Sequence, residues 1–156
     1  MSREIKEATP ELAREIIPLL REDTIEEISA IYGTGDDVLL SHFARAISRA
    51  NEAYIAYADD KPICIIGYWT SSFGSPIAHP WVFCTKFADD YPIEFFFTGR
   101  KYVETLLEKF DVLTNHVNSD NVRAIRWLKL MGFKVSRDTA FTTRYGVAFR
   151  KYEMRK

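Results

Sequence analysis

Hydrophobic and polar positions change period several times along the chain. Ile5 to Ala8 reads as a short first strand. Thr9 and Pro10 then open a helical stretch, PELAREIIPLL, because a threonine hydroxyl can accept from orphan amides and proline suits a first helical turn. Pro18 should end or bend it. Asp23 followed by Glu26 makes a capping-box-like start for a second helix, TIEEISAIYG, closed by Gly33. A third helix is predicted in VLLSHFARAISRA, where Leu39, Leu40, Phe43, Ala46 and Ile47 recur at helical spacing.

From there the pattern turns to strands. AYIAYA and PICIIGYW are β-rich runs joined by DDK, a hairpin, and HPWVFCTKF supplies another strand after the loop TSSFGSPIA. Between Pro92 and Phe110 an aromatic stretch becomes amphipathic, most helical in GRKYVETLLEKF, with Tyr102, Leu106 and Phe110 four residues apart. DVLTNHV reads as a strand, and Ser119, Asp120 or Asn121 can cap the helix that follows. In that helix Val122, Ala124, Ile125, Trp127, Leu128 and Met131 form one apolar arc with Arg123 and Arg126 outside it. Gly132 is a left-handed stop, Phe133 returns the chain to the core, and FKVSR and GVAFRKYEM close the chain as strands. The late strand, helix, strand passage implies a right-handed crossover with a local parallel pair, the remaining strands pairing antiparallel.

Composition narrows the class. A length of 156 residues fits one domain, 1–156, and 47% apolar residues with 14% aromatic and a net charge of −1 describe an ordered globular chain. No basic face suggests nucleic acid. No run reaches a membrane span, and the charged start MSREIKEATPELAREI is no apolar signal region, so the expected place is the cytoplasm without membrane contact. Cys64 and Cys84 sit in apolar runs and read as buried thiols. His42, His79 and His116 are scattered, so no metal is expected.

The element order ends in N-x-x-A-I-x-x-L-x-x-x-G-F, carried by Asn121, Ala124, Ile125, Gly132 and Phe133, and in this it resembles the GNAT superfamily of N-acetyltransferases. More narrowly, EATPEL, AYIAYADDKPICIIG, PWVF, LTNHVNSDNVRAIRWLKLMGF and YGVAFRKYEM, in that order, resemble a family of small phage-encoded GNAT-like proteins that includes internal virion proteins of short-tailed phages. The resemblance implies an α/β (α+β) GNAT-like domain with a mixed, mainly antiparallel sheet flanked by helices. It implies acetyl-CoA as cofactor and a protein or small-molecule amine as acceptor. GNAT proteins cradle the pyrophosphate with Q/R-x-x-G-x-G/A at the opening of the central helix, where backbone amides and the helix dipole meet phosphate. FFTGRK is the matching segment, so Thr98, Gly99, Arg100 and Lys101, with Asn121, are the expected cofactor contacts. Phe96 and Lys101 depart from the pattern, and Asp89, Asp90 and Glu94 precede it with the wrong charge for a phosphate. Phe95, Phe96 and Phe97 read as core packing or a covered patch.

The same resemblance places a proton-donating tyrosine at the position of Leu128, and a leucine has no proton to give. Trp127 is adjacent but a poor acid; Tyr102 or Tyr91 would substitute only if the fold brings them near. Glu94, Asp90 and His79 are the candidate general bases, while Asn115, Asn118 and Asn121 first suggest turns and caps. Two readings stay open. One is an acetyl-CoA-dependent N-acetyltransferase acting on a small molecule or on a host or phage protein. The other is a phage protein that keeps the fold as a virion-assembly or host-protein binding module. An edge strand or the aromatic patch would support a homodimer.

Overall fold

A computed structural model describes residues 2–156. Its strands are β1 (Arg3–Glu7), β2 (Glu52–Ala58), β3 (Lys61–Trp69), β4 (Ile77–Cys84), β5 (Val112–Asn118), β6 (Lys134–Val135), β7 (Phe141–Thr142) and β8 (Ala148–Arg155). Its helices are α1 (Pro10–Ile16), α2 (Glu22–Tyr32), α3 (Asp36–Arg49), α4 (Pro92–Lys109) and α5 (Val122–Met131). The strands make one sheet in the order β1-β2-β3-β4-β5-β8-β6, with β7 beside β8. All pairings are antiparallel except β4 with β5. The class expected from the sequence is the one observed, a mainly antiparallel mixed sheet flanked by helices. Among the described residues no helix is long and apolar enough to cross a membrane.

Local chemistry accounts for the boundaries. The Thr9 hydroxyl accepts from the Leu12 amide at 3.3 Å where α1 begins, and Pro18 lies in a 3-10 turn, Ile17–Leu19, after it. The β2–β3 hairpin turns on Asp59 and Asp60, both at positive φ (49° and 63°), which aspartate tolerates better than most residues. Of the candidate caps for α5, Asn121 serves: its side chain accepts from the Ala124 amide at 3.1 Å. Gly132, at φ 106°, ends the helix in the left-handed conformation that glycine adopts without strain.

Successive residues of a strand point to opposite faces, and each face of the sheet carries its own helices. On one, Ile55 and Ile65 pack with Ile16, Ile28, Leu39 and Phe43 of the α1–α3 layer. On the other, Leu113 and Val117 pack with Val103 and Leu106 of α4 and Ile125, Leu128 and Met131 of α5. Cys64 and Cys84 are buried free thiols on the α4 side, beside Phe95. Burial of each large apolar side chain here contributes on the order of 1.5–3 kcal/mol.

Two expectations are corrected. The strands flanking α5, β5 and β6, are not neighbours: β8 lies between them, antiparallel to both, and the parallel pair is β4–β5, joined through α4. The segment Thr98–Lys101 is not a loop opening the central helix, because α4 already begins at Pro92. Amides this far inside a helix are bonded to the carbonyls four residues before them and cannot cradle phosphate. Gly99 is there for a steric reason: a Cβ on it would lie 2.6 Å from Trp127 Cζ2 and 3.1 Å from Cη2, so its bare backbone lets α4 and α5 close on each other. Gly99→Leu should therefore lower stability by about 1–3 kcal/mol through overpacking. Chemical denaturation would check it, and an unchanged midpoint would mean the two helices do not meet at this point.

Candidate active-site cleft

β4 and β5 pair only at Ile77 with Val112 and Ala78 with Leu113. The cause lies two residues on. Pro80 has no N–H for a ladder, and its carbonyl is taken by the Asn115 side-chain amide (2.9 Å) and the buried Tyr152 hydroxyl (3.0 Å). Beyond this point the strands diverge around a cleft of about 670 Å³. It is lined from one face by Glu27 of α2 and His42, Arg45 and Arg49 of α3, and from the other by Ala124, Trp127 and Leu128 of α5. The cleft thus reaches both helical layers through the gap in the sheet.

The β4 edge facing this gap is partly open. The Thr85 amide donates to Ile63 of β3, whereas the Cys84 carbonyl accepts from the Arg21 amide and the Cys84 amide donates to the Thr24 hydroxyl. Main-chain groups alternate sides along a strand, so those of Val82 face the gap as those of Cys84 do. The buried Trp127 indole N–H also has no hydrogen-bond partner.

A charge network lies just beyond one end of the cleft, next to the lining residues Glu27 and Ala124. Arg21 donates twice to Asp23 (2.6 and 3.0 Å) and once to Asp89 (3.1 Å), and Arg123 donates to the same Asp89 oxygen. Burial works against ionised Asp23, but Arg21 outweighs it and holds the carboxyl below the usual range. Next to this network Glu27 accepts from the Asn118 amide (2.9 Å) and the Asn121 side chain (3.5 Å). Burial pushes the Glu27 pKa up; those two bonds only partly offset it, and Asp23 adds to the rise. Across the cleft, burial and then the Arg45 charge push His42 down to about 4, leaving a neutral imidazole whose Nδ1 has no partner. Its ring lies 4.4 Å from that of Tyr32 and 5.6 Å from that of Phe83.

Of the residues expected at the site, Asn121 is at the cleft end, where it caps α5 and reaches Glu27. Thr98, Gly99, Arg100 and Lys101 are not; Arg100 pairs instead with Glu104 on the same helix (3.4 Å). The connection leading into α4 is Thr85–Tyr91, which contains no glycine and carries Asp89 and Asp90. The candidate bases Glu94, Asp90 and His79 do not line the cleft. Glu94 is buried in the first turn of α4, and His79 is held by the Thr114 carbonyl (2.9 Å) and stacked on Trp69. Tyr91 donates to Asp59, and the Tyr102 hydroxyl is buried without a partner, so neither replaces the tyrosine missing at Leu128. Phe95 is buried and stacked on Trp127 (4.8 Å between centroids), whereas Phe97 is exposed. Glu27 and Tyr152 were not singled out from the sequence. For Glu27 a signal existed: it lies one turn from Thr24 and beside Ile28, a carboxylate on the buried stripe of α2.

No family model matches the sequence, and no curated protein matches it. Solved structures do match its fold. A ribosomal-protein-alanine N-acetyltransferase from Brucella melitensis superimposes with a TM-score of 0.67 at 16% identity, covering 98% of this chain and 99% of that one. An acetyltransferase of the GNAT family from Streptococcus pneumoniae gives 0.62 at 15%, covering 99% of each chain. A spermidine N-acetyltransferase from Vibrio cholerae, in complex with CoA and spermine, gives 0.68 at 12%, covering 98% and 95%. At such identities the likeness is one of fold, and the fold is that of the GNAT acetyltransferases.

Glu27 yields a test of the cleft's electrostatics. Because its pKa is raised in the folded protein, the stabilising contribution of its proton is present below the ordinary glutamate value of about 4.3 and is lost as pH rises through the folded value. Relative to wild type, Glu27→Gln should gain stability as pH rises above that range and level off once Glu27 is ionised in the folded protein. Urea midpoints of both proteins between about pH 4.5 and 7.5 would show it. A difference independent of pH would mean that Glu27 is not held above its ordinary value.

Proposed function

We propose that this chain is an acyl-CoA-dependent N-acyltransferase, moving an acetyl group from acetyl-CoA to an amine. The observation that carries the reading is the cleft through the sheet, with the β4 edge open at Val82. An extended, amide-bearing chain can add to such an edge by main-chain hydrogen bonds, as a further strand would. The residues present fit the acyl end of the cofactor: the main chain of Val82 offers a donor and an acceptor at the cleft, beside the ring of Trp127. When bound, acetyl-CoA supplies an acyl group activated as a thioester.

The chain's own residues would then act as follows. The amine enters from the α2–α3 side and meets the acyl group at the gap, where shared binding removes much of the entropic cost of the encounter. Glu27 lies in the cleft with a raised pKa, placed to accept the proton the amine must lose. At the phosphate end Arg21 and Arg123 are the available cations, and Asp89 must yield them. With leucine at residue 128 no fixed acid serves the leaving thiolate, and a missing general acid slows transfer about 10²–10⁴-fold.

A second reading is favoured by one specific observation, the hold of Asp89 on both arginines at the cleft end. In it the chain keeps the fold and binds a phage or host protein without catalysis. The sequence resemblance to small phage proteins supplies the setting for either reading, a host cytoplasm or a virion.

Thermal unfolding with acetyl-CoA decides between them. Ligand at about 100 times its Kd adds about 2.7 kcal/mol, roughly 5–10 °C for a domain of this size. The expected result is such a rise with acetyl-CoA, not with an unrelated nucleotide, and its loss in Ala124→Glu, which puts a charge into the cleft. No shift at millimolar acetyl-CoA would move the assignment to the binding module.

A further inference from the structure

The α2–α3 side of the cleft has a chemistry of its own. Arg45 and Arg49, four residues apart on α3, lie one turn above the other on the same face, and both line the cleft. Neither is within ion-pair distance of a carboxylate among the described residues, and they are the two arginines that line the cleft. Arg45 is close enough to His42 to help depress its protonation. The walls between them are flat rings, with Tyr32, His42, Trp69, Trp81 and Phe83 all contributing. Glu27, the carboxylate lining this cleft, is turned to Asn118 and Asn121 at the far end. Asp37 lines a smaller adjoining recess of about 360 Å³ with Arg45, and with Asp36 it sits in the first turn of α3, two turns before that arginine.

Two exposed guanidiniums without partners, at the rim of an aromatic slot, are placed to meet anions: the guanidinium fork matches carboxylate and phosphate oxygens, and its plane stacks on aromatic rings. We propose that the acceptor bound here is an amine with neighbouring acidic groups, such as the amino terminus of an acidic peptide or a small amino acid bearing extra carboxylates. This deepens the transferase reading and rests on it for the word acceptor, but the binding preference stands by itself. The same arrangement disfavours polyamines, since a polycation would have to approach both arginines. The spermidine acetyltransferase named above shares the fold, so the distinction lies in the side chains that line the slot.

The experiment is equilibrium binding to the whole chain, followed by tryptophan fluorescence and calorimetry. The probes are a six-residue peptide with a free amino terminus followed by aspartates, the same peptide with lysines in their place, free aspartate, and spermidine. The expected result is at least a tenfold preference for the aspartate peptide over the lysine peptide. It should weaken with salt, vanish in Arg45→Gln/Arg49→Gln, and reverse in Arg45→Glu/Arg49→Glu. Both positions are exposed, and circular dichroism of the variants would show that the fold is kept. Free aspartate binding as tightly as the peptide would identify the source as a small amine; weaker binding would identify a polypeptide end. Equal binding of the two peptides, a preference that survives the double substitution, or no binding of any acidic probe would overturn the inference. Acetyl-CoA binding measured on the same wild-type sample reports separately. Its absence alongside an acidic preference would overturn the transferase reading and leave the binding site.

Discussion

The architecture turns on the early end of the β4–β5 ladder. A parallel pair that continued along both strands would seal the sheet and leave two helical layers with nothing between them but core. Pro80 prevents that by withholding an N–H, and Tyr152 and Asn115 fix the break by donating to its carbonyl from across the gap. The carbonyl is satisfied without a ladder, so divergence leaves no orphaned polar group at that point. The candidate site residues that the fold brings together lie in, or beside, the opening that results.

The two ends of that opening differ electrically. At one, Arg21, Asp23, Asp89 and Arg123 tie the start of α2, the turn before α4 and the start of α5 into a neutralised cluster. A phosphate approaching it has to compete with a carboxylate already in place, and much of this network is solvent-exposed, so the competition is one of modest energies. At the other end Arg45 and Arg49 have no such internal partner, and the rings beside them present apolar faces. Beside the neutralised cluster sits Glu27, a carboxylate kept reluctant to ionise, which lines the same cleft as Val82. An anion-competent slot, a carboxylate with a raised pKa and a guarded cationic end are the parts that the proposed acyl transfer to an acidic amine would use.

Much of this fold was legible in the sequence where the cause is local. Thr9, Asn121 and Gly132 set helix ends through contacts within a few residues, and the Asp59–Asp60 turn sets the hairpin. The insertion of β8 between β5 and β6 was not legible, because pairing between distant strands leaves no mark on local periodicity. The site was read less well. Gly99 drew attention as the remnant of a phosphate loop, yet its reason for being small is the ring of Trp127 on another helix. Pro92 held the corrective clue: proline favours the first turn, so a loop at the helix opening had to lie before it. Glu27 and Arg45 escaped notice because a charge on an otherwise ordinary helix acquires meaning only when the sheet opens beneath it.

If the opened edge of β4 receives a ligand, the amide of Val82 reports on it directly. Hydrogen exchange resolved to single amides, with and without acetyl-CoA, would follow Val82 together with Phe83, whose groups alternate to the β3 side. The Val82 amide should exchange readily in the free protein and become strongly protected when acetyl-CoA is bound, while Phe83 is slow throughout. Unchanged exchange at Val82 under saturating acetyl-CoA would contradict binding at that edge.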